Sequence, residues 1–84
     1  MQEMVKGKDI RIAFGLAVKE SRLAKNISQE KLAELAHLDR SYISELERGL
    51  KSASIVTLFK VSKALDLLPT ELITLTMEKN PENQ

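Results

Sequence analysis

Two short helical segments that are separated by only three residues constrain the fold of this chain more than any other sequence feature. The first spans residues 29–36 and follows Ser28, a residue that is well suited to cap a helix. The second spans about residues 40–48, and Gly49 behind it supplies a left-handed terminator. A connection as short as residues 37–39 forces the two helices into a near-perpendicular pair, the helix-turn-helix arrangement.

The apolar residues of both segments fall where two crossed helices must touch. On the first helix, Leu32, Leu35 and Ala36 point to one side. Ala33 is the most informative position, because close approach near the crossing leaves no space for a larger side chain. Asp39 stands before the second helix, where it is able to act as its N-cap. The remaining contacts are predicted for Leu38, Ile43 and Leu46.

Helical periodicity continues on both sides of this pair. It predicts a first helix over about residues 9–25, a fourth that is capped by Ser54 and a fifth with Pro69 in its first turn. No strand pattern competes, so the expected fold is all-α with five helices, of which the second and third form the helix-turn-helix. The expected organisation is one domain over residues 1–78, followed by a flexible tail over residues 79–84.

Two helices carry more apolar surface than one small core can bury. In the first helix, Ile12, Leu16 and Leu23 form a second stripe, which could meet either the C-terminal segment or another subunit. The apolar residues of the fifth helix lie on two faces, with Leu68, Leu72 and Leu75 on one and Ile73 and Met77 on the other. A helix at the end of so small a bundle cannot bury both faces in its own subunit, so one face is predicted to be an interface.

Composition excludes several classes of protein. The chain has no cysteine and one histidine, so it forms no disulfide, and His37 cannot build a zinc site alone. Neither a glycine-rich phosphate loop nor a set of partnered titratable groups is present, and we expect no enzyme, no metal and no cofactor. Apolar segments long enough for a bilayer span or a signal peptide are also missing, which predicts a cytoplasmic protein with no membrane partner.

The residues from about Phe14 to Ile73 resemble a known family. The resemblance runs through Arg22, Ile27-Ser28-Gln29, Leu32-Ala33, the run from Leu38 to Ser44, Glu47-Arg48-Gly49 and the stretch from Leu65 to Leu72. These residues are similar to the lambda-repressor-like, XRE-type family of helix-turn-helix transcription regulators, and most similar to the controller proteins of restriction-modification systems. The resemblance implies a sequence-specific regulator that binds a near-palindromic operator of double-stranded DNA as a homodimer. RNA polymerase is a possible further partner by the same resemblance.

By this resemblance, the second helix of the pair reads DNA bases. Arg40 opens that helix, where its guanidinium would grip O6 and N7 of a guanine in the major groove. Ser41 and Ser44 are implied as contacts to bases or phosphates, and Glu45 as an acceptor for a cytosine amine. Two roles remain for Tyr42: a contact near the centre of the DNA site, or half-buried packing against the core.

Phosphate contacts are implied around the same helix pair. Gln29 matches the family residue that bonds a phosphate oxygen, helped by the positive end of its helix. The other implied phosphate contacts are Ser28, Arg48, Lys51 and Ser52. Arg22 and Glu47 correspond to a pair that often forms a salt bridge between the first and third helices. The dimer interface is predicted to consist of Leu68, Leu72, Ile73, Thr76 and Met77.

Three positions depart from the family pattern, and other functions fit the same fold. His37 replaces the glycine of the turn, although histidine tolerates positive φ. Ala53 stands where the family often has proline, and Leu68 cannot cap the last helix.

The chain could also be the antitoxin of a toxin-antitoxin pair, a phage-type repressor or a pure protein-interaction module, and the last would leave no footprint on its own promoter DNA.

Overall fold

A computed structural model describes residues 6–80, and this part of the chain consists of five α-helices joined by short loops. The helices are α1 (Gly7–Ala24), α2 (Gln29–Ala36), α3 (Arg40–Glu47), α4 (Ile55–Ala64) and α5 (Pro69–Lys79). The predicted all-α, five-helix fold is confirmed. Of the predicted tail, Lys79 belongs to α5 and Asn80 is buried, while residues 81–84 lie outside the described part.

Short polar side chains begin two of the helices as predicted. Ser28 Oγ and Ser54 Oγ each accept a hydrogen bond from the backbone N–H three residues ahead, at 2.9 and 3.0 Å. Asp39 occupies the N-cap position of α3 as predicted, but its side chain makes no capping hydrogen bond there. At α5 the N-cap residue, Leu68, has no polar side chain. Instead, the Glu71 carboxylate three residues ahead accepts from the N–H of Leu68 at 2.7 Å.

Left-handed residues end four of the helices. Gly49 follows α3 with φ of 74°, and His37 takes the corresponding role after α2 with φ of 58°. Asn26 after α1 and Asp66 after α4 adopt φ of 60° and 58°. The left-handed conformation is unfavourable for residues with a Cβ, so these three non-glycine turns are held by the packing of the helices around them.

The core receives side chains from all five helices. Its fully buried apolar side chains include Val18, Leu32, Ile43, Leu46, Val61 and Leu72. Ala33 is buried at the crossing of α2 and α3, as predicted. Leu35 is exposed, contrary to the prediction, because the turn of α2 directs it beside Lys60 of α4 rather than inward.

Helix α1 passes directly over the end of α3. Gly15 is buried at this crossing, and a Cβ built on it would collide with the carbonyl oxygens of Leu46 and Glu47. The two backbones are therefore closer than any side chain on Gly15 would permit. This contact sets the position of α3, the helix that carries the predicted base contacts.

Candidate nucleic-acid interface

A buried ion pair ties the end of α3 to α1. The guanidinium of Arg22 donates to both carboxylate oxygens of Glu47, with Nε 2.7 Å from Oε2 and Nη2 3.0 Å from Oε1. A third donor, Nη1, lies 2.9 Å from the carbonyl oxygen of Ile27. Only 10% of the Arg22 side chain and 3% of the Glu47 side chain are exposed. The predicted partners thus meet, and they hold α3 and the loop before α2 against the same helix.

One side of α3 faces away from the core and remains accessible. Ile43 and Leu46 bury the other side of the helix. The outward side of α3 carries Arg40, Ser41, Ser44, Glu45 and Arg48. Arg48 is held along the helix by a 3.3 Å hydrogen bond from its Nε to the carbonyl oxygen of Ser44. The structure therefore brings four of the predicted base contacts and one predicted phosphate contact to one surface.

Tyr42 is half-buried and packs against the core beside the outward side of α3. Its hydroxyl lies 3.4 Å from the carbonyl oxygen of Ser52 and 3.4 Å from Thr57 Oγ1. These contacts join α3 to the following loop and to α4. Of the two roles that the sequence left open for Tyr42, the half-buried packing is the one that these contacts support.

The first residues of α2 already have intramolecular partners. Ser28 Oγ is used as the cap of the helix, and Gln29 Nε2 donates to Glu47 Oε1 at 3.0 Å. The amide of Gln29 keeps a second N–H on the same nitrogen, and the first turn of α2 exposes the positive end of the helix. This end can still receive an anion, and Ser28 keeps its O–H to donate, because the cap uses only a lone pair of Oγ.

Lys51 and Ser52 are exposed on the loop between α3 and α4. The loop continues the outward side of α3, since the backbone of Ser52 lies beside Tyr42. This combined surface carries the cationic side chains of Arg40, Arg48 and Lys51 and the carboxylate of Glu45. An α-helix with side chains is about 10–12 Å across, and the major groove of B-DNA is about 12 Å wide. A helix of this width therefore fits that groove.

Two residues of the predicted dimer interface lie inside the subunit. Leu72 has 0% exposure in the core, and Thr76 has 7%, with its Oγ1 donating to the carbonyl oxygen of Leu72 at 2.9 Å. Helix α5 makes its most extensive contact with α1. Leu72 therefore has no accessible surface to offer a partner, whereas Thr76 lines a hollow at the surface, and the assignment of these residues to the interface stays a prediction. Leu68, Ile73 and Met77 are exposed.

Helix α4 adds exposed apolar residues that the sequence analysis did not assign. Ile55, Val56 and Phe59 are each more than half exposed. Ile55 lines a hollow of about 300 Å³ together with Ile73, and Phe59 lines a second hollow together with Leu68. We call the combined surface the α4–α5 patch; it consists of Ile55, Val56, Phe59, Leu68, Ile73 and Met77. The helical periodicity of α4 could not identify these residues, since it did not separate its inward from its outward side chains.

Within residues 6–80, no three acidic, histidine or cysteine side chains lie close enough together to hold a metal ion. None of the helices described combines the length and the hydropathy that crossing a bilayer requires.

A family model described as helix-turn-helix matches residues 18–72, more than half of the chain. The control protein C.BamHI from Bacillus amyloliquefaciens is 44% identical over 77 residues, which cover 90% of this chain and 95% of that protein. The structure of the restriction-modification controller protein C.AhdI from Aeromonas hydrophila is 47% identical with a TM-score of 0.72, and the match covers 74% of this chain and 94% of that one.

A further solved structure contains DNA. It is the tetramer of the controller protein C.Esp1396I with its natural 35-base-pair operator, 28% identical with a TM-score of 0.77 over 83% of this chain and 92% of that one. The matched family consists of DNA-binding regulators and not of enzymes. The chain therefore belongs to the XRE-type helix-turn-helix family of transcription regulators, with the lambda-repressor-like fold, and is similar to the controller proteins of restriction-modification systems.

Proposed function

We propose that this protein regulates transcription of a restriction-modification system by binding a near-palindromic DNA operator as a homodimer. The observation that carries the proposal is the outward side of α3, an accessible helix face that is fixed by the buried Arg22–Glu47 pair and rich in hydrogen-bonding groups. The similarity to control proteins supports the restriction-modification assignment. Such a protein acts where DNA is exposed, in the cytoplasm, and no catalytic step belongs to this function.

In this proposal, α3 enters the major groove and Arg40 reads a guanine through two hydrogen bonds. Gln29, the first turn of α2, Arg48 and Lys51 contact the phosphates on either side. Two copies related by a two-fold axis present two α3 helices about 34 Å apart, which matches one turn of B-DNA. The operator should therefore consist of two inverted half-sites with that spacing.

Protection of the DNA upstream of the protein's own gene tests this function. Arg40→Ala should weaken operator binding by about 1–3 kcal/mol and relax the preference at one base pair in each half-site. Lys51→Ala is the matched control, because a lost phosphate contact should weaken binding to operator and unrelated DNA alike and reduce the salt dependence. Equal loss on all DNA sequences with Arg40→Ala would contradict the base-reading role.

We assign the dimer interface to the α4–α5 patch. Ile55 and Ile73 line one hollow and Phe59 and Leu68 line another, and exposed apolar surface of this kind is typical of a contact between subunits. Ile73 and Leu16 are both 41% exposed but lie on α5 and α1, so they form a matched pair of test positions. By light scattering, Ile73→Glu should be monomeric with weak DNA affinity, whereas Leu16→Glu should stay dimeric. The opposite result would assign the interface to the second stripe of α1.

A regulator that activates its promoter must also act on RNA polymerase. Transcription in vitro with purified polymerase and the upstream DNA should change when the protein is added, and Arg40→Ala should abolish the change. Adjacent methyltransferase and endonuclease genes would support the restriction-modification assignment. Co-purification of a small toxin would instead indicate an antitoxin.

A further inference from the structure

We propose that Glu47 is a positioning residue for DNA binding, holding the amide of Gln29 in the orientation that contacts a phosphate without itself touching DNA. The proposal rests on the proposed function, since it assigns a second role to the buried ion pair within that same site. Gln29 lies at the start of α2 and Glu47 at the end of α3, 18 positions apart in the chain. A hydrogen bond between them therefore spans the two elements that DNA must contact together.

The Glu47 carboxylate serves two donors through one oxygen. Oε1 accepts from Arg22 Nη2 and from Gln29 Nε2, both at 3.0 Å, while Oε2 accepts from Arg22 Nε at 2.7 Å. The flexible side chain of Gln29 is thus held before any DNA arrives. Because one N–H of its amide is used, the second N–H on the same nitrogen has a restricted direction and can donate outward. Ordering a side chain in advance removes part of the entropy that binding would otherwise lose.

Arg22 makes a carboxylate acceptable at this position. An isolated carboxylate close to a phosphate would repel it, but Glu47 is buried and accepts from two guanidinium nitrogens, Nε and Nη2. The remaining guanidinium nitrogen, Nη1, donates to the carbonyl oxygen of Ile27 at 2.9 Å, which fixes the backbone just before α2. The same three side chains therefore set both the backbone and the amide at the predicted phosphate contact.

The experiment is ethylation interference on the upstream operator, which reports each phosphate that the protein needs. Gln29→Ala should lose interference at one phosphate in each half-site and weaken operator binding by about tenfold, as for a hydrogen bond to a charged group. Replacing both partners, Arg22→Met with Glu47→Met, removes the Gln29 partner and leaves no buried charge unpaired. Because the pair also holds α3, this double variant should bind the operator more weakly overall. Interference should be lost at that one phosphate, and adding Gln29→Ala should weaken binding no further.

Interference that persists at that phosphate in the double variant, or further weakening when Gln29→Ala is added, would overturn the proposal. If the double variant does not fold, NMR relaxation of the side-chain amides in the wild-type protein without DNA tests whether Gln29 is held in advance. The Gln29 amide should be as rigid as the backbone and more rigid than the exposed Asn26 amide, and equal mobility of the two would overturn the proposal. Absence of any operator footprint with the wild-type protein would instead refute the proposed function.

Discussion

Replacement of Gly15 by alanine tests the packing that positions α3. The site is buried where α1 crosses the end of α3, and the new Cβ would lie 2.7 Å from the carbonyl oxygen of Glu47 and closer still to that of Leu46. Both obstacles are backbone atoms, which cannot rotate away as a flexible side chain can. Helices α1 and α3 must therefore separate, and the Arg22–Glu47 pair must be strained with them.

The expected change in stability is the balance of two effects. Alanine in a helix interior is favoured over glycine by about 1 kcal/mol, so without a collision the variant would be more stable. Overpacking costs about 1–3 kcal/mol, and the rigid backbone at this contact favours the upper end of that range. The net loss is about 2 kcal/mol in the free energy of unfolding. For a domain of this size, that loss lowers Tm by about 8–16 °C.

Thermal and urea unfolding measure the loss, and Gly7→Ala is the matched control. Gly7 also lies in α1, but a Cβ on it would meet only Arg11 Nη1 at an ordinary 3.5 Å. Gly7→Ala should therefore leave the stability unchanged or raise it. A Gly15→Ala variant that is as stable as Gly7→Ala would contradict this prediction, because α1 and α3 would then not approach each other so closely.

Three further predictions concern single turns and buried groups. His37→Gly should raise the free energy of unfolding by up to about 1 kcal/mol in urea titrations, because glycine relieves the left-handed strain but gains entropy when unfolded. Ser62→Ala should be neutral or stabilising by up to about 1 kcal/mol in thermal melts, since Ser62 Oγ is buried and has no hydrogen-bond partner among the described residues. The hydrogen bond from Lys25, and next its charge, lower the pKa of Asp66 below the ordinary 3.8. The folded-state pKa is thus below the unfolded one, so this pair stabilises the fold above about pH 3.8 and the contribution is lost as pH falls through the lowered pKa. In an NMR titration, Lys25→Met should return the pKa of Asp66 to its ordinary value.

Local signals were sufficient for most of the helix boundaries. Ser28 and Ser54 cap their helices, and Gly49 ends α3, because each acts on backbone groups a few positions away. Asp39 stands in the same kind of position, yet its carboxylate makes no cap. Side-chain identity predicts where a helix begins, while the rotamer that completes the cap depends on the surroundings.

The candidate site was predicted in its residues but not in its internal contacts. The spacing of the helix pair places Arg40 and Ser41 outward, because the buried residues of α3 leave only that side free. Gln29 was assigned to phosphate alone, and its bond to Glu47 was missed, since nothing in the sequence indicates which polar side chains of separate helices meet. Ile55 and Phe59 were missed for the same reason, as apolar residues that no other helix happens to cover.

Caps, periodicity and a connection too short for any other geometry determine five helices, the starts of α2 and α4, the end of α3 and the crossing of α2 and α3, so these follow from the sequence. Only the packing of the whole chain determines that Gly15 must be glycine, that Leu72 and Thr76 are buried, and that Ile55, Val56 and Phe59 of α4 stay exposed. Those properties depend on which elements cover one another. That arrangement arises only when the whole chain packs, since each helix carries several faces that could be buried.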